Sequence, residues 1–526
     1  MVINKFMRSR PIRYSFATLS LLLFLCGSVP VIAEPLANTS PKPAVSQSIQ
    51  PYLERAIKQI TTFKLDNGMK FIVMENPDAP VVSFVTYADV GGVDEPDGKT
   101  GVAHFLEHLA FKGTQQIGTT NYTAEAPLLD RLDEIFTQIK TAKAAGKTEQ
   151  VKKLTEQFNQ VQAEAAKYVQ QNALGQIIDT AGGVGLNAAT ASDWTTYFYS
   201  LPSNKLELWM SLESERFLQP VFREFYKEQE VILEERRMRT DNSPIGQMIE
   251  AFLGTAFTEH PYKRPVIGYN EDIRNLTRQD VQGFFDTYYG PSNLTVAIVG
   301  DVNPEEVKQL AQIYFGRYKA KPQPPKVTKV EPQQSKTREV TLKLASQPWY
   351  LEGYHRPAIT HPDHATYEVI ATLLSSGRTS RLYKSLVEEK KVALVAQGFN
   401  GFPGDKYPNM VLFYAQNAPQ ATIDQVQQAL AQEIERLKVE PVSAEELQRV
   451  KTQLKASLVR SLDSNLGMAR SLVQYEVKTG NWRNLFDQLT AIEAVTAADV
   501  QRVAKTTFTP ENRTIGRILP KDSPTK

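Results

Sequence analysis

Asn275-Leu276-Thr277-Arg278-Gln279-Asp280-Val281-Gln282 returns, altered but in step, as Ala494-Val495-Thr496-Ala497-Ala498-Asp499-Val500-Gln501. Each copy is followed by a helical stretch. Pro291-Ser292-Asn293-Leu294-Thr295 or Pro510-Glu511-Asn512-Arg513-Thr514 comes next, and then a short apolar strand. The separation is 219 residues at each of the pairs Thr277/Thr496, Asp280/Asp499 and Asn293/Asn512. A register held over such a length marks a duplicated domain. Thr277 and Thr496 suit helix N-caps, with Asp280 and Asp499 in the first turn, where a negative charge meets the helix dipole favourably.

The rest of the chain falls into place around this repeat. At 526 residues it is too long for one core. A Pro-rich stretch at residues 320–337, with Pro322, Pro324, Pro325 and Pro332, reads as the boundary between a first half at 56–319 and a second at 338–520. Thr62 to Val73 reads as two strands around Asn67-Gly68. Val81 to Val90 is another strand, and Leu294 to Val299 closes the half. Antiparallel strands grouped with helices predict an α+β class: two homologous halves, each a mainly antiparallel sheet packed with helices.

One segment breaks the pattern. Apolar residues at Leu128, Leu132, Ile135, Ile139 and Ala142, then at Val151, Leu154, Phe158, Val161, Ala165 and Tyr168, step by three and four. That spacing is the seam of a coiled coil. With Gly146 between the two series, residues 124–171 predict an antiparallel helical hairpin inserted into the first half, with Lys, Glu and Gln on its solvated faces. Two ordinary core helices are the plainer alternative.

Composition narrows the function. Sixty basic residues against 58 acidic ones leave a net charge of +2, which gives no electrostatic reason to expect nucleic acid. Lys5, Arg8, Arg10 and Arg13 precede an apolar run from Phe16 to Val29, and Val31-Ile32-Ala33 resembles a small-residue cleavage site. Residues 1–33 therefore read as a signal peptide, with an uncleaved anchor through residues 14–33 as the alternative. Secretion to the periplasm or another extracytoplasmic space is expected. Residues 34–55 read as a linker and 521–526 as a tail. Cys26 is the only cysteine. A cleaved chain would have neither disulfides nor thiolate ligands, so a metal would have to sit on His, Asp or Glu.

Histidine is scarce, at six in 526, yet two stand four apart in Gly101-Val102-Ala103-His104-Phe105-Leu106-Glu107-His108-Leu109-Ala110-Phe111. On a helix, positions i and i+4 share a face, so both imidazoles can reach one metal ion. Glu107 lies on the adjoining face, where a carboxylate can take a proton from water held by the metal. The surrounding apolar residues would bury this helix, and a buried His-Glu-His set is costly unless paired or metal-bound. Two imidazoles leave zinc one protein ligand short. Lys227-Glu228-Gln229-Glu230-Val231-Ile232-Leu233-Glu234-Glu235 offers four glutamates, and periodicity alone does not choose among them.

The order His-x-x-Glu-His is that of the inverzincins. With Phe105-Leu106 inside it and Phe111-Lys112-Gly113-Thr114 after it, the segment resembles the pitrilysin/insulinase family (M16), especially its processing-peptidase-like M16B branch. The resemblance spans about residues 56–520. It implies one Zn2+ per chain on His104, His108 and Glu235, Glu107 as general base, and Glu228 as a supporting acid. Leu186-Asn187-Ala188-Ala189-Thr190 resembles the edge strand on which family members lay an extended substrate, which makes Asn187 and Ala188 candidate substrate-binding residues. The implied activity is a metalloendopeptidase acting on peptides or unfolded polypeptides.

Two departures stand out. The hairpin at 124–171 widens the gap between the His pair and Glu235. Active members also carry an Arg and a Tyr in a C-terminal-type half. Across Ser380-Arg381-Leu382-Tyr383 to Leu394, Val387 stands where Arg is expected and Leu394 where Tyr is expected. Neither side chain can donate a hydrogen bond. The resemblance therefore implies a homologous M16 partner subunit supplying that pair, in a heterodimer or homodimer. A non-catalytic assembly subunit or peptide-binding chaperone of the same fold is the alternative, and a metal-dependent hydrolase of other substrates is a third. His361-Pro362-Asp363-His364 reads as a helix cap and His260 as structural. Arg381 and Tyr383 are further candidates for substrate contact.

Overall fold

In the computed structural model, which describes residues 50–521, two sheets repeat one plan. The expected signal peptide at 1–33, most of the expected linker at 34–55 and nearly all of the tail lie outside the described residues. The first half has strands β1 (Ile60–Lys64), β2 (Lys70–Glu75), β3 (Val81–Ala88), β4 (Val184–Thr190), β5 (Thr195–Pro202) and β6 (Leu294–Gly300), in the order β1-β2-β6-β3-β5-β4. The second half has β7 (Arg338–Leu344), β8 (Trp349–Arg356), β9 (Ala393–Phe402), β10 (Asn409–Asn417) and β11 (Arg513–Pro520), in the order β7-β11-β8-β10-β9. Neighbours are antiparallel except β2/β6 and β7/β11. In each half the closing strand thus lies parallel to one that opens it. Leu294–Gly300 is buried at every position, as an unbroken apolar run requires when both faces of a strand are covered. The repeat is atomic as well as sequential. Thr277 with Asp280 and Thr496 with Asp499 each form a reciprocal capping box.

Each half lends a helix to the other. Met248, Phe252 and Leu253 of Pro244–Ala256 pack with Leu351, Met410, Leu412 and Ile518 of the second sheet. Met468, Leu472 and Val473 of Asn465–Thr479 pack with Ile72, Val85, Tyr87, Ala297 and Val299 of the first. The contact is close enough to dictate glycine: a Cβ on Gly353 would lie 2.9 Å from the Phe252 ring, and one on Gly516 2.8 Å from Met248 Sδ. Separating the halves would expose both apolar faces. Residues 320–336 carry neither helix nor strand but are not a free tether. The Glu331 carboxylate accepts backbone N–H bonds from Thr258, Glu259 and His260 at 2.9–3.1 Å.

The hairpin comprises Tyr122–Ala144 and Thr148–Ala166, reversed at Gly146, whose φ is 67°. Ile135, Ile139, Ala142 and Leu154 form a cluster of their own with Val151, Phe158 and Val161. At the root the seam turns. Leu129, not Leu128, is buried, because there the helix leaves its partner and enters the core of the first half. Tyr168 lies beyond the second helix, and its carbonyl accepts the Thr120 N–H.

Candidate metal centre

The motif helix is Val102–Leu109, and its start is held from outside. Gly101 has φ 89°, and a Cβ there would lie 2.7 Å from the Ile267 carbonyl oxygen, so the close approach and the left-handed turn both require glycine. The helix has no side-chain cap of its own. Instead, buried Glu95 accepts the N–H groups of Gly101 and Ala103, both at 2.9 Å. Burial pushes the Glu95 carboxyl up to about 8, against the pull of those two N–H groups and of Arg264. Val102, Ala103, Phe105, Leu106 and Leu109 anchor the helix in the core. Phe105 stacks on Phe225, with ring centroids 4.4 Å apart, and so joins this helix to Phe225–Arg236, the helix that carries Glu228 and Glu235.

The two helices bring three ligand atoms together. Nε2 of His104 and Nε2 of His108 both face Glu235 Oε2, at 3.7 and 3.5 Å. The three ligand atoms lie within 4.8 Å of one another, and among the described residues this is the one group of three or more His, Cys, Asp or Glu residues so placed. The imidazole planes are nearly perpendicular, at 83°. The other Glu235 oxygen, Oε1, forms an ion pair with Arg239, whose Nη1 lies 2.8 Å away. Nδ1 of His108 stands 3.3 Å from Glu228 Oε2, and Lys112 Nζ donates to Glu228 Oε1 at 2.5 Å. His104 Nδ1 is buried without a hydrogen-bond partner. Two imidazoles and a carboxylate, with a carboxylate behind one imidazole, make the donor set of a three-ligand zinc site with an open fourth position.

The close packing of these charges drives their pKa values apart. Burial, reinforced by His108, pushes His104 down to about 3. Burial also works against charge on His108, but Glu228 and Glu235 outweigh it and raise His108 to about 9. For Glu235, burial is outweighed by His108, His104 and Arg239, which hold the carboxyl at about 2. Glu107 is raised above the usual carboxylate range by burial, against the Thr190 hydroxyl and His108. It is not among the three converging ligands, and its Oε2 accepts from Thr190 Oγ1 at 2.6 Å.

Thr190 ends β4, the edge strand that pairs only with β5. Asn187 and Ala188 lie on this strand, and the Asn187 side chain accepts the Ala188 N–H at 2.9 Å. Sequence reasoning missed Thr190, Arg239, Lys112 and Glu95. Arg239 stands four residues after Glu235, a spacing that marks a helical ion pair, whereas Thr190, Lys112 and Glu95 reach their partners through the tertiary fold. In the second half, Val387 lies in the π-helical segment Tyr383–Glu389 against the core, and Leu394 lies at the start of β9, 52% exposed. Arg381 is committed to Glu446 through two hydrogen bonds at 3.0 and 2.7 Å. His361 accepts the Asp363 N–H, His364 meets Arg356, and His260 accepts the Tyr262 N–H. None of these three histidines joins the cluster.

Similar proteins of known family bear on what the chain is. The sequence model of the insulinase family (peptidase family M16) matches residues 70–127 and 164–269, and that of the peptidase M16 inactive domain matches residues 275–454. The zinc protease PqqE of Helicobacter pylori is 30% identical over 453 residues, covering 84% of this chain and 89% of that protein. The probable mitochondrial-processing peptidase subunit beta of Arabidopsis thaliana is 23% identical over 480 residues, covering 89% of this chain and 79% of that protein. The crystal structure of a protease from Helicobacter pylori superposes with a TM-score of 0.74 at 27% identity, over 88% of this chain and 99% of that one. The chain belongs to the M16 family of metallopeptidases.

Proposed function

We propose that the chain is a zinc-dependent endopeptidase of peptides or unfolded polypeptides. The observation that carries this reading is the convergence of His104 Nε2, His108 Nε2 and Glu235 Oε2 beside a half-buried carboxylate, Glu107, that is not among them. His104, His108 and Glu235 would hold the ion. A zinc ion there would supply a Lewis acid and make water acidic enough to attack at neutral pH. Glu107 accepts a proton from the attacking water and returns it to the amine nitrogen as the peptide C–N bond breaks. Its raised pKa suits both transfers. Thr190 fixes one Glu107 oxygen and leaves the other for the proton. The substrate adds as a strand to the open edge of β4, where the Asn187 side chain yields the Ala188 N–H to it.

A homologous partner completes the site in this reading. Val387 and Leu394 offer no hydrogen-bond donor where the family's Arg and Tyr stand, and residues 275–454 match the model of an inactive domain. Two facing subunits, in a heterodimer or a homodimer, would enclose the substrate and favour extended chains over folded ones. The same departure supports the second reading, a non-catalytic assembly or peptide-binding subunit. The basic and apolar stretches within residues 1–33 support export, with the site working outside the cytoplasm.

Zinc content and peptide cleavage of the wild type and Glu107→Gln, with and without a homologous partner, test the proposal. The expected variant retains stoichiometric zinc and loses turnover by about 100-fold or more. A wild-type chain without zinc would point to the assembly reading. Full activity of Glu107→Gln would remove the assigned base, and full activity of the chain alone would remove the partner.

A further inference from the structure

The family model stops at residue 127 and resumes at 164, so the two long helices of the hairpin are largely an addition to the shared fold. An appended arm would pack only on itself. This one does so near its tip, but the middle of both its helices reaches the helix that carries Glu228 and Glu235. Asp133 Oδ1 accepts from Tyr226 Oη at 2.8 Å, and Asp133 Oδ2 accepts from Arg278 Nε at 2.9 Å. The Tyr226 ring packs against Phe136 at 4.7 Å and meets Phe158 edge-on at 5.0 Å, so both arm helices touch it. Lys140 Nζ adds a bond to the Asn275 carbonyl, in the connection whose Ile273 and Leu276 carbonyls accept from Gln229 of the same ligand helix.

The ligand helix has a reason to need outside support. Its N-cap, Glu224, is a non-glycine residue at φ 55° and makes no capping hydrogen bond with its side chain. Its first turn is held instead by its neighbours, with Phe225 stacked on Phe105 of the motif helix and Tyr226 on the arm. Glu235 follows nine residues after Tyr226, about 13 Å along the axis at 1.5 Å per residue. A small swing at Tyr226 therefore carries the third ligand out of the narrow range in which a carboxylate binds zinc.

We propose that the inserted arm is a strut for the third-ligand helix, with Asp133, Phe136, Phe158 and Tyr226 as positioning residues that set the affinity of the metal site. The proposal rests on the zinc-site reading for its consequence but not for its mechanics.

The test uses the full chain as Phe136→Ala/Phe158→Ala, with Tyr226→Phe as the milder variant and Val151→Ala, in the distal seam, as the control. Zinc affinity is measured by chelator competition, and amide hydrogen exchange over residues 226–235 is measured on the zinc-free protein. The double variant is expected to bind zinc at least about tenfold more weakly, the scale seen when outer supports of a metal site are lost, and to exchange faster across the ligand helix. Tyr226→Phe shifts both readouts in the same direction by less, and Val151→Ala leaves both unchanged. Wild-type affinity and wild-type exchange in the double variant would overturn the strut, even with a lowered melting temperature. An equal loss in Val151→Ala would also overturn it, by showing that the arm acts through general stability. If the wild type took up no zinc, the metallopeptidase reading would fail, while the exchange comparison would still decide whether the arm braces the helix.

Discussion

Glu228→Gln removes a single charge and leaves the shape of the site intact. Glu228 is buried, with two donors facing its two oxygens: His108 Nδ1 at 3.3 Å and Lys112 Nζ at 2.5 Å. In the proposed zinc site His108 would bind through Nε2, leaving the proton on Nδ1. A carboxylate accepts from both neighbours, whereas an amide has one oxygen and one NH2. Whichever way the glutamine turns, it sets an N–H against an N–H. One charge-assisted hydrogen bond is lost outright, at a cost of about 1.5–3 kcal/mol. At about 1.4 kcal/mol per factor of ten, this predicts zinc binding about 10–100-fold weaker. Competition against a chelator of known affinity reads this directly, and kcat at saturating zinc should stay within about threefold of wild type, because Glu228 touches neither Glu107 nor the edge strand. Zinc affinity within a factor of two of wild type would refute the reasoning. So would an equal loss of affinity in Glu107→Gln, which keeps all three ligands.

Other outcomes follow from the same contacts. Thr190→Val frees one Glu107 oxygen and should lower kcat about tenfold, with KM little changed and Thr190→Ser restoring the rate. Arg223→Met strips buried Glu125 of its cation and the Lys112, Thr114 and Ile117 carbonyls of their donor, and should cost about 3–5 kcal/mol in denaturant unfolding. Glu331 is raised by burial but held below its ordinary value of 4.5 overall by N–H groups of Thr258, Glu259 and His260. A lowered folded-state pKa gives stability that is present above the unfolded value and is lost as pH falls through the folded one. Melting temperature should therefore drop at acid pH below 4.5 more steeply in the wild type than in Glu331→Gln.

Much of the fold was legible because it is local or periodic. The spacing Thr277/Asp280 and Thr496/Asp499 announced two helix starts, and both form capping boxes in the structure. The steps of three and four through Ile135, Ile139 and Leu154 announced a seam. At Leu128 the same rule misplaced the buried residue, because the burying surface there is the domain core and not the other helix. The Asn67-Gly68 turn is longer than a two-residue hairpin. Leu65 N–H bonds to the Met69 carbonyl, and the Asn67 side chain reaches the Phe315 and Tyr318 carbonyls. Those partners lie some 250 residues away along the chain, where no window can find them.

The same division runs through the site. That His104 and His108 share a helical face is legible from their spacing, because the helix repeat is a property of the backbone and needs no partner. Legible too are the place of Glu107 beside them and the lack of a donor at Val387 and Leu394. It took the folded chain to turn a Glu235 oxygen toward both imidazoles and to bring Thr190 to Glu107. Four glutamates within eight residues are chemically alike in sequence. What separates them is the direction in which the packed helix points each one, and that is set by Phe105 on Phe225 and by the arm on Tyr226, contacts between segments that the chain order keeps apart.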